Sequence, residues 1–227
     1  TRGATLHIHI SRVQLKWSYF KLIIQGGLPS LARQSLASVA TICLNHAAMP
    51  YGDAAIAAMG VVQRIMMFGG SAMIGFGQGF QPVCGFNYGA KLFKRVQEGF
   101  WFCVKFCTSV LLVAAVCGWI FSPNLIGIFL KTDPLVIEYG SQALRLQALT
   151  FPLVGWITIA NMMLQTIGKT VKASLLAMSR QFLFFVPVIL TLPGFLGILG
   201  VQLSQPIADF CSFLLAVPLS IGVLREM

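Results

Sequence analysis

The chain has 227 residues, 57% of them hydrophobic and only 10% charged, with a formal net charge of +10 and a mean hydropathy of +0.82. An ordinary water-facing domain carries about a quarter charged residues, so this composition excludes a soluble globular protein. The basic residues fall in short gaps between apolar runs instead of on one solvated face, which excludes nucleic acid as a partner and makes the charge a record of membrane topology.

Residues 1–22 read as a cytoplasmic or interfacial linker. Trp17, Tyr19 and Phe20 stand beside Lys16 and Lys21, and amphipathic rings with snorkelling cations belong at headgroup depth. This predicts a short interfacial helix at about 10–22. The opening TRGATLHIHISRVQLKW has no initiator Met and no charged-then-apolar signal pattern, so it reads as the interior of a longer protein.

Residues 23–227 divide into six apolar runs, each near the roughly 20 residues that a spanning helix needs. They cover about 24–48, 54–81, 99–122, 139–166, 173–193 and 200–224. Turn formers separate them: Pro50-Tyr51-Gly52-Asp53, Asn87-Tyr88-Gly89, Ser122-Pro123-Asn124, Gly168, and Pro193-Gly194 through Gly197. The predicted fold is therefore an all-α membrane bundle of six transmembrane helices. With this division Arg2, Arg12, Lys16, Lys21, Lys91, Lys94, Arg95, Lys169, Lys172 and Arg225 fall on one side of the bilayer and only Lys131 on the other. Such an asymmetry places both ends of the segment in the cytoplasm.

Polar residues inside the spans fall in register. Ser30, Gln34, Ser38, Thr41 and Asn45 recur every three or four residues along the first span, one stripe of a helix. Arg64, Ser71 and Gln78 lie seven apart on the second. Thr158, Asn161 and Gln165 share a face of the fourth, and Gln202, Gln205, Asp209 and Ser212 a face of the sixth. Polar groups in lipid are costly and turn toward protein or a water-filled cavity. The predicted cavity wall is Gln34, Ser38, Thr41, Asn45, Arg64, Gln78, Asn161 and Gln165. Interhelical hydrogen bonding is the plainer reading of any single one.

Asp209 is the one acid well inside a span, with Arg33, Arg64 and Arg180 as the deeper cations. An arginine does not neutralise itself, so Asp209 is expected to pair with Arg33 or Arg180, as a fold-locking ion pair or a proton relay. The small-residue run Gly69–Gly79 permits close helix approach, and Pro82 predicts a kink. No HExxH or GxSxG motif occurs, and no second intramembrane acid stands near Asp209, so no catalytic residue is assigned. The six cysteines form no CxxC pair and the three histidines have no second ligand set. Neither a metal nor a cofactor is expected.

Several segments together carry a family resemblance. Ala57-Ala58-Met59-Gly60, Gly75-Phe76-Gly77-Gln78-Gly79-Phe80-Gln81-Pro82-Val83 and Gly85-Phe86-Asn87-Tyr88-Gly89-Ala90-Lys91 are similar to the multidrug and toxic compound extrusion (MATE) family, in its MepA-like bacterial branch. Gly27-Leu28-Pro29-Ser30, Arg33-Gln34, Ser179-Arg180-Gln181 and Gln205-Pro206-Ile207-Ala208-Asp209 extend the likeness. The resemblance implies one lobe, the C-terminal six helices, of a twelve-helix secondary transporter in the bacterial inner membrane. It implies export of small cationic, amphipathic, drug-like compounds across the bilayer by alternating access. Its partner would be an N-terminal lobe of helices 1–6. The coupling ion would be H+ or Na+, with its main site in that other lobe. Some members hold a cation with acids in helices seven and ten. The corresponding spans here offer no acid in the first and Asn161 and Gln165 in the fourth. A flippase for lipid-linked precursors, of the same superfamily, is the second reading, kept open by Arg33, Arg64 and Arg180.

Overall fold

The computed structural model describes the backbone of residues 17–129 and 133–227, with side chains for all of these except 18, 19 and 21–34. Among the described residues every regular element is helical: α1 (Trp17–Ala48), α2 (Asp53–Gly89), α3 (Phe93–Ile120), α4 (Ser122–Phe129), α5 (Pro134–Thr166), α6 (Thr170–Met178), α7 (Phe185–Leu196) and α8 (Ile198–Arg225). A 3-10 turn at Met49–Tyr51 joins α1 to α2, and a π turn at Ser179–Leu183 joins α6 and α7 into one run. Among the described residues α2, α3, α5, the run from Thr170 to Leu196 and α8 are long and apolar enough to cross a membrane. The 32-residue α1 is the sixth long helix. The bundle is all-α and multi-pass, as composition and run length demand.

The spans extend beyond the apolar runs, because a helix continues through the headgroup layers once its hydrogen-bond ladder is established. α1 is already helical at Trp17 and runs unbroken to Ala48, so the segment before residue 23 is continuous with the first span from there on. The expected interfacial helix lies partly outside the described residues. Helix α2 carries Pro82 inside and continues to Gly89, where the Asn87-Tyr88-Gly89 break falls. Pro82 and the following Val83 are exposed, so the ring displaces no packed neighbour. The Asn87 amide donates to the Val83 carbonyl (2.8 Å) and supports the last turns. Ser122-Pro123-Asn124, read as a turn, instead opens the short helix α4. Proline suits a first helical turn, and the Ser122 hydroxyl donates to the Trp119 carbonyl at 3.2 Å.

Helix α5 is central and packs against α2, α3, α4 and α8. Two buried clusters surround it. The one nearer the 89–93 connection joins Phe100, Cys107, Leu111, Met163, Leu164 and Leu176. The one nearer the 48–53 connection joins Leu44, Val62, Ile126, Leu144, Phe185 and Ile189. Phe100, Trp101, Trp156 and Phe213 meet edge-on in the first, with Trp101 and Trp156 centroids 5.3 Å apart. The Trp156 indole N–H donates to the Ser220 hydroxyl (3.2 Å), giving the half-buried ring's polar edge a partner.

Close approaches are made by glycine. A Cβ on Gly155 of α5 would lie 3.2 Å from the Thr108 nitrogen and 3.3 Å from the Cys107 carbonyl carbon of α3. Gly155→Ala is expected to destabilise the bundle by about 1–2 kcal/mol, the range of mild overpacking. A fall in the detergent melting temperature checks it, with Gly70→Ala, where a Cβ meets nothing within 4 Å, as the control.

Candidate cavity face and buried ion pair

Helix α1 buries Ala40, Leu44 and Ala48 against the bundle and leaves Ser38, Thr41 and Asn45 exposed beside them. This follows from a 3.6-residue period. The Thr41 hydroxyl donates back to the Ala37 carbonyl (3.1 Å). Gln34 and Arg33 belong to α1, but their side chains lie outside those described. Helix α2 behaves alike. Met59, Val62, Met73, Gly77, Phe80 and Cys84 are buried, while Arg64, Ser71 and Gln78 stand on the exposed side with Phe68, Gly75 and Gly79. A Cβ on Gly77 would overlap the Met162 sulfur, so the glycine leaves room for that side chain between α2 and α5. The two leading helices therefore turn hydrophilic rows outward among exposed Val39, Ile42, Met67 and Phe68. Against acyl tails such rows are unfavourable. Another protein surface or water is the medium that suits them.

The other predicted residues are placed differently. Asn161 is half-buried and its amide donates to the Ala173 carbonyl (2.7 Å), tying α5 to α6. The Gln165 amide donates in turn to the Asn161 side-chain oxygen. The polar face of α8 points into the bundle. Gln202 is fully buried, donates to the Tyr139 carbonyl (3.1 Å), and leaves its Oε1 without a partner among the described residues.

Asp209 lies at the packed junction of α8 with the π turn. Its side chain is 1% exposed, against 31% for Arg180. Arg180 Nε donates to Oδ1 at 2.6 Å and Nη2 to Oδ2 at 3.3 Å, a two-point clasp. The Gln205 amide, one turn back on α8, adds a bond to Oδ1 at 2.9 Å. Beside it the buried Ser179 hydroxyl donates to the Leu176 carbonyl (2.8 Å) and reaches the Ser212 hydroxyl (3.4 Å). A π turn inserts one residue into the helical count, and here that turn carries both Ser179 and Arg180 to α8.

Sequence reasoning passed over the contacts at the basic end. The Gln97 amide donates to the Leu224 carbonyl (2.7 Å). Glu226 accepts from Lys169 Nζ (3.3 Å) and lies 3.8 Å from Lys172 Nζ. The Lys169 hydrogen bond first, then the charges of both lysines, holds the Glu226 carboxyl below its usual range. The unequal sharing of basic residues between the two ends was the available signal. Among the described residues no group of three or more His, Cys, Asp or Glu is placed to hold a metal ion.

Six long helices with α5 at the centre, and hydrophilic rows on the outward faces of α1 and α2, make this a multi-pass membrane protein. The chain belongs to the MatE family, which matches residues 29–191. It is similar to the multidrug export protein MepA of Staphylococcus haemolyticus, 24% identical over 217 residues, covering 94% of this chain and 47% of that protein. A multidrug resistance MATE family transporter of the MOP superfamily, solved in an inward-facing conformation, superposes with a TM-score of 0.88 at 21% identity, over 100% of this chain and 53% of that one. A MOP superfamily transporter from Pyrococcus furiosus superposes with a TM-score of 0.85 at 20% identity, over 99% of this chain and 51% of that one. The chain spans about half the length of the relatives it matches.

Proposed function

We propose that this chain forms the C-terminal lobe of a secondary active multidrug exporter, with a second six-helix lobe facing α1 and α2. The observation that carries the reading is the pair of outward hydrophilic rows, Ser38, Thr41 and Asn45 on α1 and Arg64, Ser71 and Gln78 on α2. Together with exposed Met67 and Phe68 they suit a flat organic cation: polar groups orient it, and aromatic and thioether surfaces accept varied shapes. Rocking of the two lobes about this face would expose the site to each side in turn. H+ or Na+ drives the cycle, its main site lying in the other lobe, since these rows hold no carboxylate. The membrane is the bacterial inner membrane, and the end with Lys91, Lys94, Arg95, Lys169 and Lys172 is cytoplasmic.

The test replaces Ser38, Asn45 and Gln78 together by alanine in the full-length natural protein. Efflux of a fluorescent lipophilic cation from cells is expected to lose affinity about tenfold or more, at roughly 1 kcal/mol per lost hydrogen bond, with the amount of protein in the membrane unaltered. Unaltered efflux would remove these rows from the transport path. Retained transbilayer movement of a lipid pyrophosphate, with no dye efflux in the unaltered protein, would favour the flippase reading that Arg64 supports.

A further inference from the structure

A cleft of about 740 Å³ opens between α4 and the first turns of α5, away from the Arg180–Asp209 pair. Its polar wall is Glu138, Gln142 and Arg145, which share one face of α5. Helix α5 has 33 residues and is about 50 Å long, so it exceeds the roughly 30 Å hydrocarbon core and reaches into both headgroup layers. Counted from Pro134, Glu138 lies about 6 Å along it, Gln142 about 12 Å and Arg145 about 17 Å. Glu138 is therefore at headgroup level, and Arg145 sits just under the hydrocarbon boundary with a side chain long enough to reach back.

Among the described residues the charges of this cleft are only partly engaged. Arg145 Nε donates to the hydroxyl of Ser122, the first residue of α4 (2.9 Å), which fixes the guanidinium on the wall. Its terminal nitrogens make no bond among the described residues, and Glu138 makes neither an ion pair nor a hydrogen bond there. One turn deeper on the same face the surface becomes apolar: Leu146 lines the cleft floor, and Leu149 is 62% exposed. From water inward the order is carboxylate, amide, guanidinium, aliphatic. A phospholipid with a primary ammonium headgroup presents ammonium, phosphate and acyl chain in that same order.

We propose that this cleft is a binding site for a phosphatidylethanolamine-type lipid. The phosphate lies on Arg145 and Gln142, where a planar guanidinium gives paired donors. The ammonium donates to Glu138, and the acyl chains run over Leu146 and Leu149. A choline headgroup has no N–H to donate to Glu138, and a glycerol headgroup has no cation. The site therefore discriminates among lipids that share the same tails.

The experiment measures binding of phosphatidylethanolamine, phosphatidylcholine and phosphatidylglycerol, with identical acyl chains, to the full-length natural protein in detergent, by native mass spectrometry. Ethanolamine lipid is expected to bind about tenfold tighter than the other two, the contribution of one charge-assisted hydrogen bond. Glu138→Gln should abolish that preference and leave three comparable affinities. Arg145→Leu should weaken all three lipids, with Arg145→Lys restoring part of the binding. Equal binding of the three lipids by the unaltered protein would overturn the proposal, as would an ethanolamine preference that survives Glu138→Gln. Glu138 is exposed and makes no bond among the described residues, so its variant stays informative even if Arg145→Leu fails to fold.

Discussion

Replacing Asp209 by leucine is expected to destabilise the bundle by about 3 kcal/mol, the lower end of the range for stranding one member of a buried ion pair. The lower end applies because Arg180 keeps 31% of its side chain exposed and water retains part of its charge. The loss arises less from the missing attraction than from the guanidinium left beside α8 with its acceptors gone. Asp209→Asn keeps an oxygen acceptor and should fall between the two. The double variant Arg180→Met, Asp209→Leu should recover most of the loss, since removing both charges removes both desolvation penalties. Thermal unfolding in detergent reads all of these. A single Asp209→Leu variant that melts with the unaltered protein would show that the clasp does not hold the π turn to α8.

Gly200→Val should have an effect of similar size for a steric reason. A Cβ at Gly200 would lie 2.6 Å from the carbonyl carbon and oxygen of Leu192 and 2.7 Å from the Pro193 nitrogen. These are backbone atoms of α7, so no rotamer change relieves the contact. The hairpin is also held from outside: the connection turns at Gly197 with φ +60°, and the Tyr51 hydroxyl donates to the Pro193 carbonyl (3.3 Å). We expect destabilisation of about 3 kcal/mol, the upper part of the usual overpacking range. Gly60→Ala, where a Cβ meets nothing within 4 Å, should be neutral or slightly stabilising through helix propensity. Matching melting temperatures for the two variants would contradict the close α7–α8 contact.

The spans were legible because lipid imposes a simple rule: about 20 apolar residues, then turn formers, with basic residues kept to one side. Faces were legible where a single period governs a helix. The α1 row Ser38, Thr41, Asn45 is exposed together, and so is the α2 row. What periodicity does not carry is which way a hydrophilic row points. The α8 row resembles the α1 row in sequence, yet Gln202, Asp209 and Ser212 are buried because α5 and the π turn supply partners for them. Asp209 had two candidate cations in the sequence. Among the described side chains its partner is Arg180, directed there by the extra residue in the 179–183 turn, and nothing in residue type marks that insertion. Pro82 removes one hydrogen bond, and the ladder on either side of it is long enough to carry α2 through to Gly89.

The clasp at the π turn has an electrical corollary. Arg180 and Asp209 sit side by side as opposite unit charges, so together they are a local dipole with no net charge. Carrying one elementary charge through a membrane potential involves about 2.3 kcal/mol per 100 mV, whereas this pair, displaced as a unit, exchanges essentially none. This pair is thus silent to voltage for as long as its two members move together.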